Sequence, residues 1–253
     1  MVNKSTDFVG SLAKGLRVIE AFQADRPRLS ITDVARETGL DRATARRCLL
    51  TLVDLGYANY DGKFFSLTPR ILRLGVTALA SMPLPQIVQP WLDQLSDQVG
   101  QSCSVSVLEG TEILYIARAA QRRVMSIGLM PGSRLPAFCT SMGRVLLASL
   151  PKDQARGVIE SSDLTPRTPK SLTDISDLMQ ELDRVRLQGY ALVDQEVEIG
   201  LRSISVPLVN QRDETVAALN IGMAAIQTSV SSVVSTYLDD LLRVQAGLKR
   251  VLR

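Results

Sequence analysis

Apolar residues recur at helical spacing over the first sixty positions and then give way to alternation. Residues 11–24, SLAKGLRVIEAFQA, place Leu12, Leu16, Ile19 and Phe22 on one stripe of a helix. Residues 30–56 read as two short amphipathic helices joined by a tight turn. Ser30 with Asp33 three residues later is a capping-box start, Gly39 supplies the positive φ that ends the first helix, and Asp41 is an N-cap for the second. On that second helix Ala45, Cys48, Leu49, Leu52 and Leu55 form an apolar stripe. Ala43, Arg46, Arg47 and Leu50 fall on the opposite side, with Arg42 and Thr44 flanking. YANYDGKFFSL follows as two β-rich runs around Asp61-Gly62, a two-residue hairpin signal in which both turn positions need φ > 0.

Helix, helix, cationic helix and hairpin in that order predict a winged helix-turn-helix, which binds DNA through its second motif helix. Arg46 and Arg47 sit just inside that helix's N-terminus, where side chains reach base edges, with Arg42 and Thr44 beside them. Ala43 is small enough to approach a thymine methyl, or serves only as a helix former. Lys63 at the wing tip is placed for a backbone phosphate.

Residues 70–82, RILRLGVTALASM, read as a further helix, and the proline-punctuated SMPLPQIVQP after it marks a domain boundary. The expected division is a DNA-binding domain over 1–69, a linker helix over 70–85 and a second domain over 86–253. In that second domain QIVQPWLDQLSDQVG reads as a helix, SCSVSVLEGTEILYIARAA as a hairpin and RVMSIGLM as a third strand. Ser141 is expected to cap a helix reaching about Leu150, and further helices follow near 152–160 and 174–188, the latter ended by Gly189. YALVDQE, RSISVPLVN and TVAALNIGM are strands, and a long helix closes the chain from about Ser229 to Leu252. Strands with helices before, between and after them predict an α+β domain of the sensor type.

Composition sharpens this in two places. The net charge of the 253 residues is +3, and the first 70 hold all the excess, with 11 Lys/Arg against 8 Asp/Glu; the remainder has 18 of each. The chain has no histidine, which excludes Ser-His-Asp and Cys-His catalysis and the common His-based metal sites within it. Cys48, Cys103 and Cys139 are an odd set without metal-ligand spacing, so neither a metal nor a disulfide framework is expected, and no cofactor motif is present. With no apolar N-terminal segment and no apolar run of membrane-spanning length, the cytoplasm is the expected location.

SLAKGLRVIEAF, SITDVARETGLDRATARRCLLTLVDLGY and LTPRILRLG, followed by PGSRLPAFCTSMGRVLLA and VDQEVEIGLRSISVPL, resemble the IclR family of bacterial transcriptional regulators over nearly the whole chain. The resemblance implies a GAF-like α/β effector-binding domain after the winged helix-turn-helix. LPAFCTSMGRVLLA and TPRTPKSLTD are similar to the subgroup that regulates aromatic-acid and β-ketoadipate catabolism. A palindromic double-stranded operator, a homodimer or homotetramer and a small carboxylic-acid effector are then the expected partners, with the 70–82 helix as a dimer-forming linker and no membrane.

Residues 139–144, CTSMGR, open a helix whose unpaired N–H groups could bind a carboxylate, or Ser141 could be a plain N-cap. The resemblance favours the first reading and places effector contacts at Cys139, Thr140, Ser141, Met142 and Gly143. It adds Val193 or Asp194, Leu201, Ser203, Asn220 and Gly222, where Gly222 in place of a serine leaves room for a larger ligand. Arg134 could pair with an acid group or be a loop charge. Cys139 is expected to line the pocket as a small residue, Trp91 to pack, and Asp194, Glu196 and Glu198 to form a strand edge or solvated face rather than a catalytic pair. Two rivals stand beside a ligand-responsive regulator: a DNA-binding protein whose second domain only oligomerises, and an enzyme acting on a small carboxylic acid.

Overall fold

Local capping chemistry sets the first three helices, α1 (Gly10–Glu20), α2 (Ile31–Thr38) and α3 (Arg42–Asp54). Ser30 Oγ accepts from the Asp33 N–H while the Asp33 carboxylate accepts from the Ser30 N–H, both halves of a capping box. Gly39 ends α2 at φ 66°, and Asp41 caps α3 by accepting from the Thr44 N–H at 2.8 Å. Described in this computed structural model are residues 8–23, 26–74, 83–121 and 128–252, and the chain divides into two units, 1–81 and 82–253.

The first unit closes on Val18, Leu29, Val34, Ala45, Leu49, Leu52, Ala58 and Phe65. Helix α1 contributes Val18 to that core, whereas Leu12 and Leu16 stay exposed, so the stripe expected on this helix is buried only toward its C-terminal end. Leu55, expected on the α3 stripe, is the exposed C-cap residue. Strands β1 (Ala58–Tyr60) and β2 (Phe65–Leu67) pair with Tyr60 opposite Phe65, which leaves a four-residue loop rather than a two-residue turn. Asp61 Oδ1 accepts from the N–H groups of Lys63 and Phe64, so only Gly62 needs positive φ (99°). A 3-10 turn at Pro69–Ile71 runs into helical residues 72–74, and the rest of the expected 70–82 helix lies outside the described residues.

The second unit is a six-stranded antiparallel sheet in the order β5-β4-β3-β8-β7-β6. Its strands are β3 (Ser102–Glu109), β4 (Glu112–Ala119), β5 (Arg134–Pro136), β6 (Ala191–Asp194), β7 (Leu201–Val209) and β8 (Thr215–Ala224). The expected strand RVMSIGLM is not found: residues 128–130 form no strand and 122–127 lie outside the described residues, while β5 takes the place beside β4. Helix α4 (Pro83–Val99) begins within the proline-rich junction, because prolines in a first turn forgo N–H groups that have no partner there. Helices α5 (Ser141–Ala148), α6 (Lys152–Glu160), α7 (Ile175–Gln188) and α8 (Val230–Lys249) complete the unit.

Period-2 alternation divides the sheet chemically. Cys103 and Val105 of β3, Ile204 and Val206 of β7, and Leu219 and Ile221 of β8 pack against α4 and α8 in one core. Trp91 of α4 joins that core, and a Cβ on Gly247 of α8 would come within 2.3 Å of its ring. The opposite face carries Ser102, Ser104, Ser106, Ser203, Ser205, Asn220 and Gly222 toward α5, with α6 and α7 packed behind that helix around a second core.

Candidate functional site

The outward side of α3 presents Arg42, Ala43, Arg46 and Arg47 to solvent, and neither Arg42 nor Arg46 has an ion-pair partner among the described residues. Thr44, expected beside them, is buried; its hydroxyl accepts from Arg47 Nη2 at 3.4 Å, so it steadies an arginine rather than reaching outward. Hydrogen bonds from the Thr44 side chain and backbone hold the Asp41 carboxyl below its ordinary range, keeping the cap ionised at neutral pH. At the wing, exposed Lys63 places its Nζ 5.1 Å from the Phe64 ring centroid. Arg28 lies 5.3 Å from the same ring and pairs with Asp61. Arg28 was not legible from sequence, because only the Leu29–Phe65 bridge brings its loop to the hairpin.

In the second unit a small cavity of about 30 Å³, open to solvent, lies between the start of α5 and the polar face of the sheet. Thr140, not Ser141, is the N-cap of α5; its Oγ1 accepts from the Gly143 N–H at 3.1 Å. Ser141, freed from capping, turns to the sheet, donating to Ser203 Oγ at 2.8 Å and bonding Ser205 Oγ at 2.7 Å. Met142 enters the cavity behind them and accepts from Ser106 Oγ at 3.1 Å.

Strand register builds the floor. Arg118 of β4 lies opposite Ser104 of β3, Ser104 opposite Asn220 of β8, and Asn220 opposite Ser205 of β7, so one polar row crosses four strands. The neighbouring row holds Ser102, Gly222, Ser203 and Val193. A Cβ on Gly222 would meet nothing closer than 4.0 Å, so this glycine leaves open space. Tyr115, Leu129, Leu135, Val197 and Leu201 supply the apolar walls. Burial pushes the Tyr115 phenol up to about 12, keeping it neutral.

Two polar atoms in this cavity are buried without a hydrogen-bond partner, Arg118 Nε and Asn220 Oδ1. Arg118 Nη1 donates to Ser104 Oγ at 2.9 Å, and burial lowers the guanidinium's pKa, an effect Tyr115 and Cys103 oppose. Among the described residues no carboxylate pairs with it. A desolvated cation so placed favours an anion in the cavity.

Of the expected effector positions, Thr140, Ser141, Met142, Leu201, Ser203, Asn220 and Gly222 line the cavity and five do not. Arg134 sits on edge strand β5, where it pairs with Glu109 and, at 3.2 Å, with Glu112. Cys139 is buried beneath the cap, with its thiol pushed up to about 11 by burial. Gly143 is needed for packing, since a Cβ there would lie 2.1 Å from the Ala137 carbonyl oxygen. Val193 is buried beyond Ser203, and Asp194 is engaged by Arg202 at 2.6 Å and Lys170 at 2.9 Å. Burial raises the Asp194 carboxyl, but hydrogen bonds from Lys170, Arg202 and Gln195 outweigh it and hold the carboxyl below its ordinary range. Glu196, expected on a solvated face, is buried and paired with Arg144 at 2.6 Å. Arg118, Tyr115, Leu129, Leu135 and Val197 were the lining residues missed. The available signal was an arginine inside the otherwise apolar run ILYIARA, beside a strand of alternating serines.

A winged helix-turn-helix joined to a second unit with a polar-floored cavity defines the class of ligand-responsive transcription factors. The IclR helix-turn-helix domain matches residues 11–62 and the Bacterial transcriptional regulator IclR C-terminal family matches residues 76–246. The chain belongs to the IclR family, whose members are transcriptional regulators that bind DNA and small-molecule effectors and are not enzymes. It is 44% identical over 243 residues to the Pca regulon regulatory protein of Pseudomonas putida, covering 96% of this chain and 84% of that one. A crystal structure of a transcriptional regulator from Rhodococcus sp. RHA1 superposes with a TM-score of 0.80 at 43% identity, covering 97% of this chain and 98% of that chain. The inducer-binding domain of a double mutant of the PobR transcription factor from Acinetobacter, in complex with 3-hydroxybenzoic acid, matches 66% of this chain and 98% of its own. Its TM-score is 0.63 at 31% identity.

Proposed function

We propose that this protein controls transcription of genes for aromatic-acid catabolism in response to a small carboxylic acid bound in the second unit. The observation that carries the reading is Arg118, a half-buried arginine whose Nε is buried without a partner, in a cavity whose remaining walls are neutral among the described residues. The P. putida relative regulates a Pca regulon and the PobR domain holds a hydroxybenzoic acid, which supports the aromatic-acid assignment. Thr140, Ser141, Met142, Leu201, Ser203, Asn220 and Gly222 contact the effector alongside Arg118. A second domain that only oligomerises would have no use for an arginine with a buried, unpartnered Nε.

The DNA-binding unit, built from 1–69 and followed by a linker over 70–85, reads a palindromic operator as a dimer or tetramer in the cytoplasm. One recognition helix covers too few base pairs for specificity alone. Arg42, Ala43, Arg46 and Arg47 face the major groove and Lys63 a phosphate. Fluorescence anisotropy on operator duplexes, with and without acid, tests both halves. Arg46→Ala relaxes sequence preference by about 1–3 kcal/mol at one base pair, whereas Lys63→Ala weakens every duplex alike and lowers the salt slope by about one. An acid that neither raises the melting temperature nor changes operator affinity or transcription, across a panel of aromatic and dicarboxylic acids, refutes the effector reading.

A further inference from the structure

The effector reading leaves the chemistry at the far end of the ligand unassigned, and the hydrogen-bond directions in the cavity define it. Ser141 donates to Ser203 Oγ, which leaves the Ser203 hydroxyl proton without an acceptor in the serine cluster. Ser141's second serine contact, to Ser205 Oγ at 2.7 Å, then has Ser205 as its donor. Across the sheet Asn220, only 8% exposed, holds an Oδ1 with no donor. Ser203 and Asn220 lie on adjacent strands, Ser203 opposite Gly222 and Asn220 one step along the same face. One idle donor and one idle acceptor side by side complement a hydroxyl group, which both donates and accepts.

Charge counting points the same way. Arg118 is the one cationic side chain among the described lining residues, and Asn220 stands two strands from it, roughly 10 Å by strand spacing. A second carboxylate on the ligand would reach Asn220, the serines and no cation, leaving a desolvated anion unpaired. Between the two polar ends, Tyr115, Leu135, Met142 and Leu201 line an apolar span suited to an uncharged, apolar ligand body.

We propose that Asn220 and Ser203 are specificity-determining residues that read a ring hydroxyl, so that the effector is a hydroxylated aromatic monocarboxylic acid and not a dicarboxylic acid. This rests on the assignment of the cavity as the effector site. Isothermal titration of the full chain with benzoate, 3-hydroxybenzoate, 4-hydroxybenzoate and adipate decides it. One hydroxybenzoate is expected to bind at least about tenfold more tightly than benzoate, as two recovered hydrogen bonds imply, and adipate more weakly than either. In Asn220→Leu the hydroxybenzoate-to-benzoate ratio falls to near one, and Ser203→Ala reduces it by a smaller factor and stands in if the first variant does not fold. Equal binding of benzoate and both hydroxybenzoates, tighter binding of adipate, or a ratio unmoved in both variants overturns the proposal while the effector site stands. Failure of all four acids to bind overturns the small-acid reading itself.

Discussion

Arg118→Met abolishes the response to a carboxylic acid while leaving the free protein about as stable as before. Among the described residues the guanidinium has one hydrogen bond, to Ser104 Oγ at 2.9 Å, and its Nε is buried without a partner. Its burial is therefore poorly compensated until an anion arrives. Hydrogen bonds to a charged group contribute about 1.5–3 kcal/mol, which corresponds to a roughly 10- to 150-fold loss of acid affinity when they are removed. Methionine fills similar space without a charge to desolvate, and the loss of one neutral hydrogen bond at Ser104 is of similar size to the relief. Arg118→Lys retains the charge but not the planar fork, so its affinity falls between the two. Calorimetry reads the affinity and thermal unfolding without ligand reads the stability. Wild-type acid affinity in Arg118→Met removes Arg118 as the anchor.

The DNA-binding half was legible almost residue by residue because its determinants are local. The capping box at Ser30 and Asp33, the left-handed Gly39 and the Asp41 cap each act within a few residues, and each stands in the structure as the sequence implies. What failed there also has a local cause. Asp61 used its side chain to bond Lys63 and Phe64, lengthening the hairpin loop, and Thr44 turned inward because its neighbour Ala45 lies at the centre of the buried stripe.

The cavity was less legible because it is made by strand register, which no short window of sequence contains. Arg118 and Asn220 are about a hundred residues apart and share one row of the sheet only because β3 pairs with both β4 and β8. Periodicity alone gives the faces, serines on one side of β3 and β7 and aliphatics on the other, but not which strands are neighbours. The CTSMGR helix start was found from its local pattern together with family resemblance. Its capping residue was misplaced by one position because Thr140 and Ser141 are adjacent and both can cap, Ser being the commoner cap of the two. Glu196 read as solvated for a related reason: its partner Arg144 is fifty-two residues away.

That ion pair carries the largest expected effect on stability. Arg144, 3% exposed, bonds Glu196 at 2.6 Å, approaches Glu181 at 3.8 Å and donates to the Phe138 carbonyl at 3.0 Å. Glu196 also accepts from the Leu172 N–H at 2.9 Å, and the hydroxyls of Thr168 and Ser171 bond its turn's carbonyls. One buried arginine thus ties the start of α5 to α7, to the 168–172 loop and to the turn carrying Val197 into the cavity. Arg144→Ala leaves Glu196 buried without a cation, while Glu181 keeps Arg184 at 2.6 Å; breaking a buried pair from one side costs about 3–5 kcal/mol, a large part of a native stability of roughly 5–15 kcal/mol. The melting temperature should fall by roughly 10 °C. Arg144→Met combined with Glu196→Gln recovers part of the loss, because the uncompensated charge at Glu196 goes with the cation, so the double variant is more stable than the sum of its single changes. Glu196→Gln alone leaves Arg144 with Glu181 and the Phe138 carbonyl, so the fold survives. The turn bearing Val197 loosens, and effector affinity drops before stability does. Additive losses in thermal unfolding would show that the pair is not coupled, and an Arg144→Ala variant within 1 kcal/mol of wild type would remove it from the framework of the cavity.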